Sequence, residues 1–142
     1  MTPEERTALI AKIAALPALL EELVSPLTPA QLTARPLAGE WSAAQNVHHL
    51  ADSHMNSFVR VKLMLTEDHP TFKPYDQDAW ADLPDGAGSD LDDSLELLRG
   101  LHKRWVRLYT NLPEAAWART GINPESQRVY TMEDILRIYA GH

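Results

Sequence analysis

The side chains in this chain best suited to chemistry are histidines. His48, His49 and His54 lie in one stretch, Gly39 to Leu65, which reads GEWSAAQNVHHLADSHMNSFVRVKLML and carries few charges for its length. A neutral imidazole offers a lone pair that can bind a divalent ion, while its other nitrogen hydrogen-bonds and holds the ring in place. The chain has no cysteine. A disulfide framework, a thiolate metal site and a cysteine nucleophile are therefore excluded, and a metal would have to be held by histidine, carboxylate and water. An inward-facing histidine is also commonly a hydrogen-bonded core residue, so each ring has a bland reading beside the chemical one.

A helix has to present these rings. Ser42 with Gln45 has the form of a capping box, so the spacing predicts a helix from about Ser42. At about 100° per residue, Val47, Leu50, Ala51, His54, Phe58, Val61 and Leu65 share one side, the spacing of a core-facing stripe. His49, Asp52, Asn56, Val59 and Leu63 fall on roughly the opposite side, polar over its first two turns. A helix wanted on two sides is an interior member of a bundle, and its polar groups there need partners or a metal.

The other elements follow from the same signals. Thr2, Pro3 and Glu5 start a first helix reaching about Val24, with Leu9, Ile13, Leu16, Leu20 and Leu23 as its seam and Pro17 expected to bend it. Residues 25–40 read as a connection holding a short box, Thr28 to Gln31. Residues 66–89 form an acidic, Pro-punctuated loop, long for a compact domain, whose Tyr75 and Trp80 suit either a functional cover or an ordinary strap. From about Asp90 to Asn111 a further helix places Leu91, Leu95, Leu98, His102, Trp105, Tyr109 and Leu112 on one side, with His102 read as buried and hydrogen-bonded. Thr131 caps the last helix, with Ile135, Ile138, Tyr139 and His142 on its core-facing side. That helix rises only about 16 Å where the others approach about 30 Å. With no terminating signal after His142, the natural chain is expected to continue.

At 142 residues and 44% hydrophobic content, one globular domain spanning 1–142 is expected, burying roughly two thirds of its unfolded surface. A net charge of −7 with 13 scattered basic residues argues against a nucleic-acid surface and favours a small-molecule partner. No window approaches the roughly 20 apolar residues of a membrane span, and no basic, then apolar leader opens the chain, so a cytoplasmic protein is the default expectation.

The run GEWSAAQNVHHLADSHMNSFVRVKLMLTEDHPTFKPYDQDAWADL, followed by LLRGLHKRWVRLY and YTMEDILRIYAGH, closely resembles the YfiT branch of the DinB-like superfamily. The likeness extends from the Thr28 region to the last residue. It implies an all-α four-helix bundle packed as a homodimer, with three histidines binding one divalent metal between helices. The second histidine of VHHLAD is His49 and the one ending YAGH is His142, so the resemblance makes these two the metal ligands. The third ligand would lie one helical turn beyond His142, where this sequence has no residue. In the loop before the last helix, relatives often carry His-Pro where this chain has Asn123 and Pro124. His48 is then expected to be an exposed neighbour, His54 a packed or supporting group, and Asp52 and Asn56 candidates for supporting or substrate contacts. Zinc is the expected ion, with nickel, iron and copper as rivals. Three functions follow from the resemblance and the open coordination it implies: a metal-dependent hydrolase, an S-transferase using a low-molecular-weight thiol such as bacillithiol, or a non-catalytic dimeric bundle with a structural metal. No residue stands out as a general base.

Overall fold

The computed structural model describes residues 1–35, 37 and 39–142. Capping boxes set the helix starts: Thr2 with Glu5, Thr28 with Gln31, Ser42 with Gln45 and Thr131 with Asp134. In each, the hydroxyl accepts the third residue's N–H while that residue's side chain accepts the cap's own N–H, pairing two donors the helix would otherwise leave open. The helices are α1 (Pro3–Val24), α2 (Pro29–Thr33), α3 (Ala43–Thr66), α4 (Gln77–Ala81), α5 (Asp92–Thr110) and α6 (Met132–Ala140). Among them α1, α3, α5 and α6 form a four-helix bundle in which α1 and α3 each pack on both α5 and α6.

Burial follows the stripes. Ile13, Phe58, Val61, Met64, Trp105, Tyr109 and Leu136 make the main core, and Leu32, Ala44, Val47, Leu91 and Leu95 a second cluster. Each large side chain removed from water contributes about 1.5–3 kcal/mol before ordering costs. The seven-residue seam of α1 fails at its end, where Leu23 is 71% exposed and Val24 packs on the second cluster instead. A straight helix drifts about 20° per heptad, so a strict seven-residue repeat walks off the interface. Pro17 lies inside α1, buried, and the helix continues through it.

Two connections hold more structure than expected. The loop after α3 contains α4. The segment before α6 contains a 3-10 turn, Glu114–Ala118, and an antiparallel hairpin of β1 (Thr120–Ile122) and β2 (Val129–Thr131), a small addition to an otherwise helical fold. Thr71 bridges Ile122 in parallel, and the Phe72 ring occupies the space where a β-carbon on Gly121 would stand. Only glycine allows that approach. Buried Arg6 ties α1 to this segment and to α6, with Glu114 at 2.6 Å and Glu133 at 3.4 Å. Among the described residues no helix is long and apolar enough to cross a membrane.

Candidate metal centre

The capping box that starts α3 also sets the rotation of its histidines, and adjacent residues meet different fates. His48 was expected to be exposed; it is buried. Its Nε2–H donates to the Gly88 carbonyl at 2.8 Å, and its Nδ1 accepts from the Ser94 hydroxyl at 2.6 Å. The loop after α4 folds back over α3 and covers it, which helical periodicity alone does not reveal. Gln45 pins the same loop nearer its start, donating to the Ala81 carbonyl at 3.0 Å. Ahead of that loop, Tyr75 before α4 and Trp80 within it pack on each other with ring centres 4.5 Å apart.

His49, half-buried, has ring contacts instead. Its centre lies 4.8 Å from Trp41 and 6.0 Å from His142, with the two imidazole planes at 80°. Among the described residues neither nitrogen of His49 has a hydrogen-bond partner. Two imidazoles bound to one ion at about 2.0–2.1 Å have their centres about 5–6 Å apart, so this spacing suits a shared ion. His142 lies just past the end of α6, after Gly141, whose N–H donates to the Arg137 carbonyl at 3.2 Å. It was expected on the helix itself and facing the core; the residue is exposed, with one side of its ring packed back against His54 and Tyr139. Among the described residues no third His, Cys, Asp or Glu completes a ligand cluster.

Behind this pair lies a line of imidazoles. His142 Nδ1 is 2.9 Å from His54 Nε2, and His54 Nδ1 is 2.7 Å from His102 Nε2. His102 Nδ1–H donates to the Ile13 carbonyl at 2.7 Å. His54 and His102 are 0% and 1% exposed, so both are the packed, hydrogen-bonded groups their stripes suggested. Burial, then the neighbouring rings of His102, His142 and His49, pushes His54 down to about 2. Burial also lowers His102, against its bond to Ile13, and lowers His142. Burial followed by the nearby His142 lowers His49, opposed by the carboxylate of Asp78. The rings are thus held neutral near pH 7, the protonation state in which imidazole binds a metal. That donor set fits a divalent cation.

The remaining sequence candidates are placed elsewhere. Asn56 donates to the Asp52 carbonyl of its own helix at 2.8 Å, and Asp52 joins no ligand cluster. Burial and the nearby Asp85 raise the Asp52 carboxyl, with His48 opposing. Asn123 caps the hairpin turn, its side chain accepting from Glu125 N at 2.9 Å. Two neighbours escaped the sequence reading: Trp41, one residue before the cap of α3, and Asp78 on α4. Both line a shallow polar depression of about 360 Å³ with Asn46 and Gln77. Trp41 stood in the same motif as His49, whereas no local signal pointed to Asp78. A larger cavity, about 440 Å³, lies between α1 and α5 beside Pro17, Arg99 and Lys103. It borders His102, whose nitrogens are both engaged, so the unpaired imidazole chemistry lies elsewhere.

A four-helix bundle of this form corresponds to a known class: the chain belongs to the DinB superfamily, whose family model matches residues 12–142. It is similar to YfiT from Bacillus subtilis, a candidate metal-dependent hydrolase, at 39% identity over all of this chain and 80% of that protein. A candidate metal-dependent hydrolase of Oceanobacillus iheyensis, OB0782, is 42% identical over 94% of this chain and 76% of its own. The solved structure of YfiT, described as a probable metal-dependent hydrolase with an unusual four-helix bundle topology, matches with a TM-score of 0.95 and 38% identity. That match covers 99% of this chain and 80% of the other.

Proposed function

We propose that this protein is a metal-dependent hydrolase whose divalent ion is held by His49 of α3 and His142 beyond α6. The observation that carries the reading is the pair of neutral rings from separate elements, 6.0 Å apart, with relatives named as candidate metal-dependent hydrolases. When bound, such an ion supplies Lewis acidity, polarising a substrate oxygen and acidifying water near neutral pH. The protein's own groups set the conditions. Trp41 packs on the His49 ring and limits its rotation. Asp78 lies within electrostatic reach of His49 and, at the edge of the polar depression, is the carboxylate best placed to accept a proton there. Zinc is the proposed ion, since it suits imidazole ligands and leaves positions open to substrate.

Elemental analysis of the purified protein, followed by zinc titration of the metal-free form, tests the site. Zinc bound by the wild type, but not by His49→Ala or His142→Ala, supports it. Equal uptake by all three overturns it. A panel of ester, amide and phosphoester substrates then tests the reaction, with chelator-treated protein as control. If the zinc form instead conjugates a low-molecular-weight thiol such as bacillithiol to an electrophile and cleaves none of the panel, the hydrolase assignment fails.

A further inference from the structure

The histidine line has a direction, and a proline sets it. Inside a helix the carbonyl at Ile13 would accept from the N–H four residues on, but that residue is Pro17, which has no N–H. The Ile13 carbonyl is left open in the interior, and His102 Nδ1 lies 2.7 Å from it. A carbonyl only accepts, so the His102 proton is on Nδ1 and its Nε2 carries a lone pair. His54 Nδ1, 2.7 Å from that lone pair, must be the donor, which leaves His54 Nε2 bare. His142 Nδ1, 2.9 Å away, must then donate in turn. Three neutral rings carry three protons, one for each link.

Ring geometry agrees with this assignment. His54 and His102 have centres 4.9 Å apart and planes within 18°, and His54 and His142 have centres 5.2 Å apart and planes at 30°. With nitrogens at 2.7 and 2.9 Å, centres so far apart mean rings meeting edge to edge, nearly in one plane. An N–H to nitrogen lone-pair bond requires that alignment, and face-to-face stacking would not provide it. Trp105 and Tyr139 stand edge-on to His54 at 5.7 and 5.1 Å, holding its ring in the plane of the relay.

We infer that His54 and His102 form a tautomer relay, anchored on the carbonyl that Pro17 leaves open, which holds the His142 proton on Nδ1 and presents its Nε2 lone pair outward. His54 and His102 are positioning residues acting through His142, and the use of that lone pair for a metal rests on the function proposed above. Without the relay, His142 would be free to exchange between tautomers, and part of the population would offer a ring nitrogen facing the wrong way.

Long-range nitrogen-15 NMR of the metal-free protein at neutral pH reads the relay directly. The expected result is His142 with its proton on Nδ1 and an unprotonated Nε2; a proton on Nε2, or averaged tautomers, overturns the proposal. Glutamine, which carries a donor and an acceptor at a similar separation, separates hydrogen bonding from packing. His54→Gln and His102→Gln are expected to keep the His142 tautomer and to bind zinc within about threefold of wild type, whereas His54→Leu and His102→Leu lose the tautomer and about 10–100-fold in zinc affinity. Equal losses in the folded Gln and Leu variants would overturn the relay in favour of simple packing. A wild type with the expected tautomer but no zinc binding would uphold the relay and overturn the metal site, so the two readings fail separately.

Discussion

His48 and His49 are neighbours in the chain, on one helix with one cap, yet they belong to opposite kinds of environment. His48 faces α5 and the returning loop, where Ser94 and Gly88 engage both its nitrogens. His49 faces Trp41 and the end of α6, where ring contacts hold it and its nitrogens have no hydrogen-bond partner among the described residues. A histidine with both nitrogens bonded is part of the scaffold. One whose lone pair stays open, with a second such ring at ligand spacing, is where an ion can sit.

The sharpest way to break this division is to remove each kind of ring and measure both stability and metal binding. His49→Ala or His142→Ala should weaken zinc binding at least about 100-fold, beyond what losing a supporting partner costs. Metal-free stability should change by no more than about 0.5 kcal/mol for His49→Ala and fall by about 1–2 kcal/mol for His142→Ala, which leaves the buried His54 Nε2 without its donor. Zinc titration and urea unfolding check the two halves. A large loss of stability at His49 would place it with His48.

Acid should act on the inner line of rings. His54 is pushed down to about 2 in the fold, against an ordinary value of 6.5 in the unfolded chain. Below that ordinary value the unfolded chain takes up a proton that the folded chain refuses. This contribution is therefore complete above pH 6.5 and is lost as pH falls, the loss reaching about 3 kcal/mol by about pH 4.5. His102 adds in the same direction. Urea unfolding of wild type and His54→Gln across this range should show a steeper loss in the wild type.

His48→Ala is expected to cost about 2 kcal/mol, because it leaves a cavity and strips the Gly88 carbonyl and Ser94 hydroxyl of their partner. Zinc affinity should stay within about twofold; a larger drop would mean that the scaffold and the site are not separable. Smallest of all, Asn56→Ala should change stability by less than about 0.5 kcal/mol and leave zinc binding unaltered, since its amide only caps a carbonyl of its own helix.

Much of the frame was legible in the sequence because its signals are local. Ser42 with Gln45 and Thr131 with Asp134 are recognised three residues apart, and they started the helices where expected. The stripes through His54 and His102 pointed inward, and both rings are buried. The misreadings came from contacts that no short window contains. His48 is covered by a loop 40 residues away, and Asp78 comes near His49 only because α4 folds back over α3. The resemblance, not periodicity, singled out His49 over His54.

What the sequence by itself determined is the inventory and the local geometry: histidine without cysteine, helices with marked starts, and a proline that removes one N–H from the first of them. What only the tertiary structure decided is which nitrogen meets which partner. Helical spacing tells which side a ring faces, but not whether its lone pair is already taken. The open carbonyl at Ile13 and the ring at His102 are 89 residues apart, and only packing α1 against α5 brings them together and gives the line through His54 to His142 its direction.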